Sequence, residues 1–141
     1  LSEKEIAFVL DTLLTVAHPK LIKIITRKDE VVGFMLGFHD LSAAMQRHAG
    51  HLDPIAIADL LLEMRRTNWI SLNGVGVLPE YHGRGGNYLM MVEMEKTIHE
   101  FKQFEHAELT QVAETAVQMR RDLENLGGKA YKNHRVFRKN I

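Results

Sequence analysis

The sequence predicts one α/β domain in which helices are layered on a sheet, and three observations support that prediction. Runs rich in β-branched and aromatic residues, typical of strands, alternate with stretches whose apolar residues recur every three or four positions, typical of amphipathic helices. The chain has 141 residues, of which 45% are hydrophobic, and one globular core can accommodate them. No repeat or linker interrupts the alternation. We therefore expect a single layered domain over residues 1–141.

The first predicted elements are a helix and a hairpin. Ser2 and Glu5 have the spacing of a capping box, and the helix that they begin should end before Pro19. Its apolar stripe comprises Ile6, Val9, Leu10, Leu13 and Ala17. Residues 21–26 and 31–38 are apolar runs separated by a polar turn, so we expect them to pair as a hairpin.

Two helices and a strand should follow the hairpin. A short helix is expected over 41–48, and Asp53 followed by Pro54 has the composition of a helix start. The buried stripe of this second helix is predicted to be Ile57, Leu60, Leu61 and Met64. Residues 69–78 have a strand pattern that ends at Pro79, which cannot donate to a sheet ladder.

The second half of the chain predicts a helix, a strand, a helix and a last strand. The pattern becomes helical from Tyr88, and the seven methionines of the chain, including Met90, Met91 and Met94 on this helix, are interpreted as core side chains. Its apolar face comprises Met91, Met94, Ile98 and Phe101. A strand is expected over 106–112, and a helix should begin with the capping-box pair in 115–118 and end at 127–128, where two glycines permit left-handed backbone. Residues 130–138 are interpreted as a final strand.

Charge and composition exclude several classes of partner. Lys and Arg total 18 and Asp and Glu total 18, so no global field favours nucleic acid or an anionic membrane. The arginine pairs at 65–66 and 120–121 have acidic neighbours and no aromatic platform for bases. The chain has no cysteine, no apolar run of the ~20 residues that cross a bilayer and no signal-peptide pattern. We therefore expect a soluble, cytoplasmic protein with no nucleic-acid or membrane partner.

A glycine-rich turn, residues 82–87, joins the strand at 69–78 to the next helix. Free backbone N–H groups at such a helix start bind phosphate, and His82 and Arg84 can add charge at the rim. The alternative is a tight turn that binds nothing. A P-loop would need Lys followed by Ser or Thr after the last glycine, and a dinucleotide fingerprint would need glycine where the chain has Tyr88.

The turn and the strand end before it resemble the acetyl-CoA-binding signature of GNAT acetyltransferases. Residues 77–81, Val-Leu-Pro-Glu-Tyr, reproduce the family's approach to the turn, and Gly85 matches its glycine. His82 stands where Arg or Gln is usual, and Asn87 stands where Gly or Ala is usual. Residues 108–127 resemble the strand and helix that follow in the family, including the Leu-Gly pair at the helix end.

The resemblance implies a GNAT-like α+β fold, with a mixed, mainly antiparallel sheet flanked by helices. In that fold the strands at 69–78 and 106–112 diverge, and the pantetheine arm of acetyl-CoA lies between them. Acetyl-CoA would be the co-substrate, and no metal is implied. The implied cofactor-binding residues are Val75, Val77, His82, Gly83, Arg84, Gly85, Gly86 and Asn87.

The resemblance further implies transfer of an acetyl group to a primary amine of a small molecule or protein. Glu114 is a candidate base or substrate anchor, although an acidic residue there also suits a helix N-terminus. Leu123 and Ala116 replace the tyrosine and asparagine found in many members. These two departures favour an alternative, a GNAT-like module that binds acyl-CoA without turnover, and a purely structural domain is the third possibility. The acceptor site is expected in the variable loop 40–54.

Two further expectations concern the N-terminus and metals. The family's usual first strand and helix have no counterpart before Ser2, so we expect an N-terminally incomplete fragment whose exposed apolar sheet surface forms a homodimer. His48 and His51 lie near Asp53, but Gly50 and Pro54 interrupt the segment and no third ligand is evident. No metal site is therefore expected.

Overall fold

The computed structural model describes residues 2, 4, 17–135 and 137–139. Most of the predicted N-terminal helix therefore lies outside the described residues. The chain divides into two compact units, Leu1–Leu109 and Thr110–Ile141. That all 141 residues form one domain stays a prediction.

The first unit is built on a four-stranded mixed sheet in the order β1-β2-β3-β4. The strands are β1 (Ile22–Arg27), β2 (Glu30–His39), β3 (Trp69–Val77) and β4 (His106–Leu109). β1 with β2 and β2 with β3 are antiparallel, whereas β4 is parallel to β3. The predicted mixed, mainly antiparallel sheet is thus confirmed. The strand predicted over 106–112 is shorter than expected, because its pairing with β3 ends at Leu109.

Within residues 17–109 this unit has the helices α1 (Ser42–Arg47), α2 (Pro54–Arg66) and α3 (Gly86–Phe101). Short 3-10 turns over Pro19–Leu21 and Pro79–Tyr81 precede β1 and α3. The predicted hairpin, the short helix after it and the strand predicted over 69–78 are therefore present. None of the helices described is long and apolar enough to cross a membrane.

The core lies between α3 and one face of the sheet. The side chains of Met90 and Met94 are almost completely buried against this face, so the interpretation of the methionines as core residues is confirmed for these two. It is wrong for Met45 on α1, which is 40% exposed. Gly37 lets α3 approach β2 closely, because an added Cβ would lie 3.3 Å from Cε of Met94. Lys23 Nζ donates a hydrogen bond to Thr97 Oγ1 at 2.6 Å, which ties β1 to the same helix.

A cluster of charged side chains links helices α1 and α2. The Arg47 guanidinium binds both carboxylate oxygens of Asp59 at 2.9 and 3.0 Å and also contacts Glu63 at 2.6 Å. The predicted buried stripe of α2 is consequently wrong at Ile57 and Leu61, which are 49% and 59% exposed. The side of α2 that faces α1 carries the carboxylates, so these apolar side chains face away.

The second unit contains α4 (Val117–Asn125). The capping box predicted in 115–118 is wrong, since Ala116 is the N-cap and the Gln118 side chain donates instead to Asp122 at 2.9 Å. The predicted end is confirmed: Gly127 has φ 84°, and the Gly128 N–H donates to the Leu123 carbonyl.

The strand predicted over 130–138 is wrong in the part of the tail that the structure describes, where residues 130–135 and 137–138 are in no strand. A strand is stabilised by pairing, and the sheet of the described residues ends at β4. The described tail residues are exposed, so the local β-like pattern has no ladder to join.

Candidate coenzyme A site

The candidate site lies where β3 runs into α3. The Leu78 N–H donates to the Val32 carbonyl at 2.9 Å and makes the last ladder contact of the strand. Pro79 cannot continue the ladder, and the chain turns through the 3-10 segment Pro79–Tyr81. The His82 N–H closes this segment on the Pro79 carbonyl at 3.1 Å. The glycine-rich turn therefore begins at a fixed point at the end of β3.

Two glycines of the turn adopt backbone conformations that other residues avoid. Gly83 has φ 70° and Gly85 has φ 80°, both in the left-handed region. An added Cβ at either position would have no atom within 4 Å. Glycine is thus required here by the backbone and not by crowding within the chain, and the space above both residues is open to a ligand.

The start of α3 presents a series of unused donors. The first helical hydrogen bond runs from the Leu89 N–H to the Gly85 carbonyl at 3.0 Å. Among the described residues, none accepts a hydrogen bond from the N–H groups of residues 83–88, no side chain caps the helix, and its first turn carries no acidic residue. Free N–H groups at the positive end of a helix dipole attract an anion. Left-handed glycines within such a turn favour the same concave arrangement of donors.

His82 has a position that its residue type alone did not reveal. Its Nε2 lies 2.8 Å from the Val77 carbonyl oxygen, so this nitrogen carries the hydrogen and donates. The imidazole therefore fastens the start of the turn to the end of β3. Contact of this ring with a phosphate stays a prediction.

The main chain of Val75 and Val77 faces away from β2. Antiparallel ladders alternate, and the bond from Leu78 N–H to Val32 directs the Val77 and Val75 groups to the opposite edge of β3. The pairing of that edge with β4 ends at Leu72, so β3 continues past its parallel neighbour. These are the groups that the family resemblance assigned to pantetheine.

A bulge separates this free edge from the paired part of β3. Gly74 has φ 122°, and the register with β2 shifts between Met35 and Gly37. The ring of Phe34 lies over Gly76, where an added Cβ would come within 2.9 Å of it. Glycine inside a strand is itself a signal for a bulge or a close approach, so both features have a signal in the sequence.

A shallow cavity of about 450 Å³, wide open to solvent, lies between α1 and the nearby ends of β2 and β3. It has an apolar part and several uncharged polar groups, with one carboxylate. The lining residues are Phe38, His39, Asp40, Leu41, Ser42, Met45, Gln46, Ser71 and Asn73. Asp40 accepts a hydrogen bond from the Ser42 N–H at 2.8 Å, which fixes the carboxylate at the start of α1.

The remaining predicted residues lie apart from this turn in the chain. Glu114 belongs to the second unit, where it is exposed in a turn before α4. His48 binds the Asp59 carboxylate at 3.0 Å. No group of three or more His, Asp or Glu side chains in the described ranges could hold a metal ion.

Comparison with solved structures identifies the fold. The sequence matches no protein-family model and no curated protein. The aminoglycoside N-acetyltransferase AAC(6')-Iy, in complex with the bisubstrate analogue CoA-S-monomethyl-acetylneamine, matches 99% of this chain with 82% of its own, at 14% identity and a TM-score of 0.61. A possible acetyltransferase from Clostridium difficile 630 matches 100% of this chain with 79% of its own, at 13% identity and a TM-score of 0.62.

A third solved structure is the aminoglycoside antibiotic 6'-N-acetyltransferase AAC(6')-IG from Acinetobacter haemolyticus. The match covers 100% of this chain and 83% of that protein, at 16% identity and a TM-score of 0.59. The chain therefore has the fold of the GNAT-family acetyltransferases. The resemblance inferred from the sequence is confirmed at the level of the fold.

Proposed function

We propose that this chain binds acetyl-CoA at the turn of residues 83–87 and transfers the acetyl group to a primary amine. The observation that carries the proposal is the series of unbonded N–H groups at the start of α3, preceded by left-handed glycines. Such a series provides donors and a favourable dipole for a pyrophosphate. The pantetheine arm would then follow the edge of β3 that faces away from β2 and bond to the main chain of Val75 and to the Val77 N–H, because the Val77 carbonyl already accepts a hydrogen bond from His82.

The acceptor amine would enter the cavity lined by Phe38, Asp40 and Asn73. Asn73 adjoins the bulge of β3, two residues before Val75, so a thioester at the end of the pantetheine arm would meet the acceptor there. The Asp40 carboxylate would attract the ammonium form of the amine. Two of the structural neighbours are named aminoglycoside acetyltransferases, which supports a small-molecule amine as acceptor.

The chemistry is a direct acyl transfer. The neutral amine nitrogen attacks the thioester carbonyl carbon, the carbon–sulfur bond breaks, and the amide retains the acetyl group. The amine loses one proton, and the coenzyme A thiolate takes one up. We propose Glu114 as the base or as an anchor for the substrate, since it is an exposed carboxylate in the segment that follows β4.

Calorimetric titration with acetyl-CoA and a thiol-release assay with a panel of primary amines test the proposal. We expect saturable one-site binding and release of coenzyme A that depends on the amine. Binding without release of coenzyme A for every amine would favour the alternative, a GNAT-like module without turnover. Leu123 and Ala116, which replace the tyrosine and asparagine of many members, support that alternative. The absence of binding would overturn both and leave a structural domain.

A further inference from the structure

Two arginines from distant parts of the chain meet at one tyrosine beside the glycine turn. Cζ of Arg27, the last residue of β1, lies 5.5 Å from the centre of the Tyr81 ring. Cζ of Arg84, within the turn, lies 5.5 Å from the same centre. The two guanidinium carbons are thus separated by at most twice that distance. Tyr81 is partly buried in the 3-10 segment, so its ring is a platform held by the fold.

These positive charges are not neutralised within the part of the chain that the structure describes. No carboxylate there forms an ion pair with Arg27 or Arg84, although Glu30 is the register partner of Arg27. The contrast is Arg47, which binds two carboxylates. Two like charges close to one ring repel each other, and an anion bound near them would reduce the repulsion.

The chemistry of coenzyme A supplies a second anion. Besides its pyrophosphate, coenzyme A carries a phosphate monoester on the 3' position of its ribose, with a charge of about −1.5 to −2 at neutral pH. Backbone N–H groups suit the bridging pyrophosphate, whereas guanidinium groups bind the terminal oxygens of a monoester in pairs. Arg84 lies between Gly83 and Gly85, so a phosphate bound to its side chain would lie close to one bound to their N–H groups.

We propose that Arg27, Arg84 and Tyr81 form a binding site for the ribose 3'-phosphate of coenzyme A, distinct from the backbone site for the pyrophosphate. This inference rests on the proposed function, because it concerns the same ligand. It implies that the chain distinguishes coenzyme A from 3'-dephospho-coenzyme A, and that Arg27 is responsible although it lies more than fifty residues before the turn.

Calorimetric titration with coenzyme A and with 3'-dephospho-coenzyme A at low ionic strength tests this site. The unmodified chain should bind coenzyme A about fivefold or more tightly than the dephospho form, the effect of roughly one charge-assisted contact. Arg27→Ala should weaken coenzyme A binding about fivefold and leave the dephospho form unaffected. Arg66→Ala removes the same charge from an exposed position at the end of α2 and should change neither affinity.

The outcomes separate this inference from the proposed function. Equal affinity of the unmodified chain for the two ligands, or an equal loss of both in Arg27→Ala, would overturn the 3'-phosphate site while the backbone site stands. Failure to bind either ligand would overturn both proposals. Thermal unfolding of Arg27→Ala, whose side chain is exposed, should match the unmodified chain and exclude a general effect on folding.

Discussion

Gly85 combines a left-handed backbone with open space above it, and this combination allows a sharp test of the backbone site. In Gly85→Val, a β-branched residue in the left-handed region costs about 1–2 kcal/mol, and its methyl groups would occupy the space assigned to the pyrophosphate. We expect coenzyme A binding to be abolished. Arg84→Ala should weaken binding only about fivefold, because an exposed charge is screened by salt.

Gly50 provides the matched control for that substitution. It has φ 79°, against 80° for Gly85, and also has no atom within 4 Å of an added Cβ. Gly50→Val should therefore lower the unfolding temperature by a similar amount and leave the dissociation constant for coenzyme A unchanged. Retention of full affinity in Gly85→Val would show that the turn is only a turn.

Single residues also show what the sequence could and could not predict. The positive φ of Gly85 and Gly127 follows from residue type and position, because a turn and a helix end require it. The bond from His82 to the Val77 carbonyl could not be predicted, since several rotamers of an exposed imidazole are compatible with the turn. The approach of Arg27 to Tyr81 depends on the pairing of strands far apart in sequence.

At the level of elements, the start of α2 allows a quantitative prediction. The Asp53 carboxylate accepts a hydrogen bond from the Ala56 N–H at 2.8 Å, and Pro54 occupies the first helical position. Asp53→Ala should lower the free energy of unfolding by about 1 kcal/mol, whereas Asp53→Asn, which keeps an oxygen acceptor, should lower it by much less. Chemical denaturation of both variants measures the difference. An equal loss in the two would mean that the cap does not stabilise the helix.

The two helix starts show why one capping signal in the sequence was right and a different one was wrong. Asp53 precedes a proline whose fixed φ suits the first helical position, and its carboxylate accepts a hydrogen bond from the Ala56 N–H. The Gln118 side chain does not take part in a cap, because its amide donates to Asp122 one turn later. The helix begins at Val117 instead of at Thr115. Spacing alone did not decide between these partners.

At the level of the whole molecule, stability should depend on the charge of His39. This ring is buried beside Phe101 and Phe104, and no described residue bonds to its Nδ1. Burial, together with repulsion from His18, lowers the pKa of His39 from its ordinary value of 6.5. The unfolded chain then binds a proton more readily than the folded chain, so this contribution to stability is full above pH 6.5 and is lost as the pH falls below it.

Denaturation at several pH values between neutral and mildly acidic measures this dependence. The variant His39→Phe keeps an aromatic ring of similar shape and removes the titrating group, so its free energy of unfolding should fall less on acidification. Identical pH profiles for His39→Phe and the unmodified chain would contradict the assignment to His39.

The exposed apolar surface predicts association. Ile55 is 74% exposed and Leu61 is 59% exposed, and both lie on α2. Apolar side chains exposed on one helix offer surface for a contact between copies of the chain, so we expect a homodimer. Light scattering over a range of concentrations should show a species of twice the mass of the chain, and Leu61→Glu should shift the equilibrium towards the monomer. Finding only the monomer at high concentration would contradict the predicted homodimer.

The order of strands in the chain also has a consequence for how the molecule assembles. β1 and β2 are joined by Lys28 and Asp29, both with positive φ, and a hairpin with such a turn closes within microseconds. Neighbouring strands β2 and β3 are separated instead by residues 40–68, which include α1 and α2. Closing that loop costs entropy before any ladder bond forms, so β3 should join the hairpin late. The turn at residues 83–87 follows β3, and a refolding chain should therefore acquire its affinity for coenzyme A only in the last kinetic phase.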